Sequence, residues 1–145
     1  MTGVCSTRNV ELVRSLGAKE VIDYTREDPT ASRNAYDVVF DAVAVGSFGA
    51  YRKALRPGGV YSTTVLGPRA LIAMAFNPLR RSGRRAHTMI GKPDNVHEGL
   101  CELRDLFVGG SLRSVIEMKL PLEEVEEGHR RYETGRTRGK IVLTI

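Results

Sequence analysis

The sequence predicts an α/β domain, a mostly parallel sheet with flanking helices, and three observations carry that expectation. Val38, Val39 and Phe40 stand consecutively inside Tyr36-Asp37-Val38-Val39-Phe40-Asp41-Ala42-Val43 and leave no side of the chain for water, as in a strand covered on both faces at the middle of a sheet. Ser47 to Leu55 then carries Phe48, Tyr51 and Leu55 at helical spacing, Arg56-Pro57-Gly58-Gly59 stops the helix, and strand character resumes over Val60 to Leu66. Strand, helix, turn and strand in so short a span make a right-handed βαβ crossover. In open sheets of this kind ligands sit beyond the carboxyl ends of the strands, which directs attention to Asp41 to Gly46 and to Leu66-Gly67-Pro68.

The other elements follow in chain order. Thr2 to Cys5 reads as a short strand, and Ser6 or Thr7 can cap a helix whose apolar face is Val10, Leu12, Val13 and Leu16 and whose end is Gly17. Glu20 to Tyr24 is a second strand, and the polar Arg26 to Ser32 is a surface loop or irregular helix. After Gly67-Pro68 a helix runs through Arg69 to Phe76 until Asn77-Pro78 breaks it, and Arg85 to Ile90 is a further strand closed by Gly91-Lys92-Pro93. Asn95 caps the clearest helix of the chain, with Val96, Leu100, Leu103 and Phe107 recurring on one stripe and Gly109-Gly110 ending it. Ser114 to Met118 is a strand. Pro121 opens a helix with Leu122, Val125, His129 and Tyr132 on one stripe, where a histidine is expected to be a hydrogen-bonded core residue, and Lys140 to Leu143 forms the last strand.

With 145 residues, 41% hydrophobic and 27% charged, the chain has the composition of an ordinary globular domain able to bury its own core. It contains no apolar run near the roughly 20 residues of a membrane helix and no recognisable leader, so a cytoplasmic protein is expected. The net charge of +5 gathers in Arg80, Arg81, Arg84 and Arg85 and in Arg130, Arg131, Arg136 and Arg138. These clusters lack interleaved aromatics, and the second is balanced by Glu123, Glu124, Glu126 and Glu127, which argues against nucleic acid as the partner. Cys5 and Cys101 form no paired motif, and His87, His97 and His129 have no ligand spacing, so no metal is expected. Neither Ser47 nor Ser62 lies in a nucleophile elbow.

The strongest chemical signal is the turn Cys5-Ser6-Thr7-Arg8-Asn9. Where a strand gives way to a helix, free amides attract anions, and here two hydroxyls and a guanidinium join them, the makings of a phosphate pocket. The competing reading is that Ser6 or Thr7 caps the helix and Arg8 is solvated. Tyr24 on its own residue chemistry packs its ring at a strand end. Lys140 opens a terminal strand, where a lysine is ordinarily solvated.

Thr2-Gly3-Val4-Cys5-Ser6-Thr7-Arg8-Asn9, Leu16-Gly17-Ala18, Val21-Ile22-Asp23-Tyr24, Tyr36 to Asp41, Pro57-Gly58-Gly59 and Gly135-Arg136-Thr137-Arg138-Gly139-Lys140-Ile141-Val142-Leu143 together resemble the medium-chain dehydrogenase/reductase superfamily, and most closely its zinc-independent, quinone-oxidoreductase-like branch. The resemblance implies a Rossmann-like fold lacking its first βα unit, a nicotinamide cofactor with a lean toward NADP, and a small carbonyl, enone or quinone substrate. It also implies that Ser6, Thr7, Arg8 and Tyr24 surround the adenosine 2'-phosphate, that Asp41, Ala44, Leu66 and Gly67 line the cofactor cleft, and that Lys140 lies near it. Residues 1–110 would be a partial dinucleotide-binding domain and 111–145 a segment returning to the catalytic domain.

Ala44 departs from the family, which usually has glycine after Asp-Ala-Val, and no Gly-x-Gly-x-x-Gly occurs. The expectation is therefore the C-terminal part of a longer oxidoreductase, inactive alone, in which two strands lack a ladder partner. Two alternatives stay open: a methyltransferase-like domain, suggested by Leu55-Arg56-Pro57-Gly58-Gly59, and a non-catalytic assembly module. A homodimer through Arg85 to Ile90 is a further expectation.

Overall fold

The structure is a computed structural model that describes residues 1–79, 81–88 and 95–145. Arg80, the strand end expected at Met89 and Ile90, and the Gly91-Lys92-Pro93 stop lie outside the described residues. The chain divides into one unit of Met1–Val10 with Ala18–Pro93 and another of Glu11–Gly17 with Asp94–Ile145.

In the first unit β1 (Thr2–Cys5) pairs in parallel with β2 (Glu20–Asp23). A separate three-stranded sheet holds β3 (Tyr36–Asp41), β4 (Leu55–Thr63) and β5 (Arg85–Thr88) in the order β3-β4-β5, again parallel. The helical turn of Thr7–Asn9 follows β1, α2 (Phe48–Tyr51) crosses from β3 to β4, and α3 (Pro68–Ala75) crosses from β4 to β5. Ser47 caps α2 by accepting from the Ala50 amide, and Gly67 with Pro68 opens α3. The parallel, helix-flanked, Rossmann-like architecture is the one expected. β4 begins earlier than Val60, because Tyr36 pairs with Leu55 and the register shifts before Val38 meets Val60.

The position of β3 corrects the sequence expectation. It borders the sheet instead of occupying its middle, and among the described residues its only ladder partner is β4. Val39 packs on the core, while Val38 and Phe40 are 62% and 55% exposed. The core is Phe48, Leu55, Tyr61 and Ala86, joined by Tyr36, Val39, Tyr51, Ala73 and Met74. Tyr61 stacks on Tyr51 at 6.0 Å and meets Phe48 edge-on at 6.5 Å, and the fully buried Leu55 is worth about 2 kcal/mol by area.

The second unit contains α1 (Val10–Ser15, all but its first residue), α4 (Val96–Val108), α5 (Val125–Glu133) and the parallel pair β6 (Ile116–Pro121) and β7 (Lys140–Thr144). Asn95 caps α4 by accepting from the Glu98 amide. The α5 residue that packs on the strands is Gly128, buried against Ile141 and Leu120, whereas His129 is exposed and is not the core histidine the stripe predicted. Glu117 binds this unit together, accepting from the Arg131 guanidinium and the Arg138 amide, and those bonds hold its carboxyl below the usual range. No helix among the described residues is long and apolar enough to cross a membrane.

Candidate functional site

The carboxyl ends of β3 and β4 converge on a cavity of about 340 Å³. Its walls include Ala44, Gly46, Tyr61, Thr63, Val65 and Gly67, and the first turn of α3 adds Arg69 at its margin. Leu66 is half-exposed and is not part of the lining, whereas its neighbours Val65 and Gly67 are. His87, projecting from the exposed side of β5, completes the lining. The Arg69 guanidinium at this margin can meet an anion, while Val65 and the alanines offer an apolar surface to a flat ring.

Asp41 gives the cavity its shape. One carboxylate oxygen accepts from the amides of Val43 at 3.2 Å and Ala44 at 2.7 Å, the other from the Gly46 amide at 2.8 Å and the Tyr61 hydroxyl at 2.7 Å. Burial opposes the charge on Asp41, and the Tyr61 and amide donors outweigh it, so its carboxyl lies below the usual range. Tyr61 is pushed far above the ordinary phenol range by burial, by its bond to Asp41 and by that carboxylate's charge. It is a fixed neutral donor, not a proton carrier near neutral pH.

Ala44 sits at φ +58°, the left-handed region that glycine enters freely and alanine only at a cost. The departure noted in the sequence therefore falls at a position whose backbone conformation favours the glycine it replaces. Gly46 is required for space: a Cβ there would stand 2.9 Å from both Asp41 Oδ2 and Tyr51 Cε2.

A second polar cluster lies where β1 and β2 end together. Ser6 is the residue before the turn but its side chain makes no capping bond, and the Asn9 amide donates to the Ser6 carbonyl. Thr7 does not cap either. Its hydroxyl donates to Asp23 Oδ2 at 2.5 Å and lies 2.9 Å from that of Thr25. Arg8 is exposed on the same turn, and Tyr24, 58% exposed, is tied to β1 by its amide bond to the Cys5 carbonyl. Asn9 Oδ1 is enclosed without a partner.

Sequence reasoning placed no acid near this turn, yet Asp23 folds against it. Its carboxyl is held low by the Thr7 and Thr25 hydroxyls, with the Thr25 amide and Arg26 adding to them against the effect of burial. The signal was available in Val21-Ile22-Asp23, since strands in parallel register put their last residues side by side, and Cys5 pairs with Asp23. Burial and the Asp23 charge push the Cys5 thiol up, away from nucleophile chemistry.

The structure thus gathers Ser6, Thr7, Arg8 and Tyr24 at one strand end and Asp41, Ala44 and Gly67 at another, both in the first unit. Lys140 is exposed at the start of β7 in the second unit, its amide bonded to the Val115 carbonyl at 2.7 Å. Tyr61, Thr63 and His87 were not singled out in the sequence, because the first two lie inside a strand and the third has no motif around it. Among the described residues no group of three or more metal-ligating side chains comes together.

A family model described as zinc-binding dehydrogenase matches residues 16–143. A chloroplastic quinone-oxidoreductase of Triphysaria versicolor is 32% identical over 99% of this chain and 44% of its own length. The chloroplast envelope quinone oxidoreductase homolog of Arabidopsis thaliana is 29% identical over the same shares. The structure of a quinone oxidoreductase from Coxiella burnetii superposes with a TM-score of 0.75 at 27% identity, covering 99% of this chain and 44% of that one. The chain spans less than half the length of these relatives. Despite the family's description, the described residues bring no zinc donor set together: Cys5 is buried in β1, and Cys101 has only His97 beside it on α4. Family match and parallel architecture agree along most of the sequence, and this chain belongs to the zinc-binding dehydrogenase family, within the quinone-oxidoreductase-like part of the medium-chain dehydrogenase/reductase superfamily.

Proposed function

We propose that this chain is the dinucleotide-binding part of an NAD(P)H-dependent oxidoreductase acting on a small carbonyl, enone or quinone. The nicotinamide supplies or accepts the hydride, and the chain's own residues hold and orient it. The observation that carries this reading is the cavity at the carboxyl ends of β3 and β4, where the Asp41 knot fixes a loop against an apolar wall. Asp41 positions the loop, and Ala44 with Leu66 and Gly67 borders the nicotinamide end, residues 1–110 forming the partial dinucleotide-binding domain and 111–145 the segment that returns to the catalytic domain.

Ser6, Thr7, Arg8 and Tyr24 take the adenosine end. Asp23 is already engaged by two threonines and Arg26, and Arg8 meets a 2'-phosphate, which favours NADP over NAD. The protein acts in the cytoplasm and pairs as a homodimer through the outer edge of β5. Family membership leaves the methyltransferase-like alternative without support.

Fluorescence titration of the 145-residue chain with NADPH and NADH tests this reading. The expected result is binding of NADPH about tenfold tighter than NADH, with the preference erased by Arg8→Glu. Equal affinities in the parent chain, or an Arg8→Glu variant that still prefers NADPH, would sink the assignment of the adenosine end. Binding of neither cofactor would sink the reading as a whole. The chain alone is expected to give no NADPH oxidation with quinones or enones.

A further inference from the structure

The opposite end of the same sheet carries a second cavity, of about 500 Å³, at the amino ends of β3, β4 and β5. Arg33, Arg52, Lys53, Arg81 and Arg84 line it, and no carboxylate does. Arg33, Arg52, Lys53 and Arg81 make no ion pair among the described residues, whereas Arg14, Arg56, Arg104, Arg130 and Arg131 elsewhere are each matched with an acid. Gathering like charges around one hollow raises the free energy of the empty state, and a multiply charged anion offsets it.

The frame beneath these cations is built. Asn34, at φ +50°, donates its amide to the Lys53 carbonyl at 3.0 Å and accepts on its side chain from Arg84 at 2.7 Å. The Arg84 Nε donates to the Leu55 carbonyl at 2.8 Å, and the Gly58 amide donates to the Ser82 carbonyl at 3.1 Å. The segments that enter all three strands are thereby laced together, and the free cations are presented on a fixed floor.

We infer that this hollow is a binding site for a compact soluble polyanion with clustered phosphates, separate from the dinucleotide cavity at the other end of the strands. The volume lies in the range of small-molecule sites, and guanidinium groups match phosphate oxygens in pairs. Nucleic acid fits less well, since no aromatic side chain lines the hollow to stack a base.

Calorimetric titration of the intact chain with inorganic tripolyphosphate, at low and at physiological salt, tests the site. Saturable one-to-one binding is expected, weakened tenfold or more by Arg52→Gln with Arg81→Gln and little changed by the equal charge loss of Lys19→Gln with Lys119→Gln. Amide shifts in NMR spectra should centre on Asn34, Lys53 and Ser82, and NADPH should not displace the ligand. Four results overturn the proposal: no saturable binding, equal weakening in both double variants, one-for-one displacement by NADPH, or tighter binding of single-stranded DNA through the same arginines.

Discussion

Asp41 shows how one side chain can define a binding loop. Three of its four accepted bonds draw residues 43 to 46 back over the end of β3, the fourth ties it to Tyr61 on β4, and each surrounding residue is constrained for a different reason. At Ala44 the constraint is conformational. Replacing it with glycine removes a left-handed alanine, and urea denaturation should show Ala44→Gly more stable by about 1 kcal/mol. At Gly46 the constraint is space, so Gly46→Ala should cost about 1–3 kcal/mol in the same measurement and disturb the cavity first. The carboxylates add a pH dependence whose sign is fixed. Asp41 and Asp23 both have pKa values lowered by folding, so their contribution is complete above the ordinary carboxylate pKa of about 4 and is lost as pH falls through the folded values. Asp41→Asn should therefore flatten the acid side of the stability profile and leave the neutral side parallel to that of the parent. An acid limb of unchanged slope would show that Asp41 titrates alike in both states.

At the level of elements, local chemistry was legible and coverage was not. Asn95 could be assigned as a cap and Gly17 as a stop, because each acts through its own backbone or that of a residue three or four away. The apolar run Val38 to Phe40 identified a strand correctly, but what covers a strand depends on neighbours far away in sequence. Only Val39 of the three packs on the core. The stripe of α5 failed for a related reason: helical period marks the inward face without saying which residue the strands approach, and the close contact fell on Gly128 instead of His129. In the candidate site, motifs near the chain's turns pointed to Thr7, Asp41 and Gly67, Asp23 could have been found as the last residue of a strand parallel to β1, and Tyr61 became visible only once strand register put it beside Asp41. Gly139 has a packing role that no turn signal conveys. Any Cβ there would run into the Val115 carbonyl, next to the bond that Lys140 makes with it, so Gly139→Ala should destabilise the β6–β7 pair by about 1–3 kcal/mol, read as faster amide exchange in Met118 and Val142.

For the whole molecule the exposed sheet edges matter most. Parallel sheets are ordinarily covered by helices on both faces and protected at their edges, and among the described residues β3 and β5 are the edges, each pairing only with β4. The β5 edge is partly guarded. The Asn77 carboxamide donates to the Ala86 carbonyl at 2.7 Å and accepts from the Ala86 amide at 2.9 Å, so a side chain occupies both backbone groups that a further strand would use. Pairing of two copies through β5 has to displace Asn77 or begin beyond Ala86. Asn77→Ala should accordingly shift sedimentation toward dimers and larger species at a given concentration, because it frees one donor and one acceptor on an exposed edge. Val38→Lys on the uncovered face of β3 should act in the opposite direction if association runs through that face, and should leave the sedimentation of the Asn77→Ala variant unchanged if it runs through β5. Both variants sedimenting as the parent does would mean that neither the β3 face nor the β5 edge governs self-association, and the homodimer proposed through β5 would fall with it.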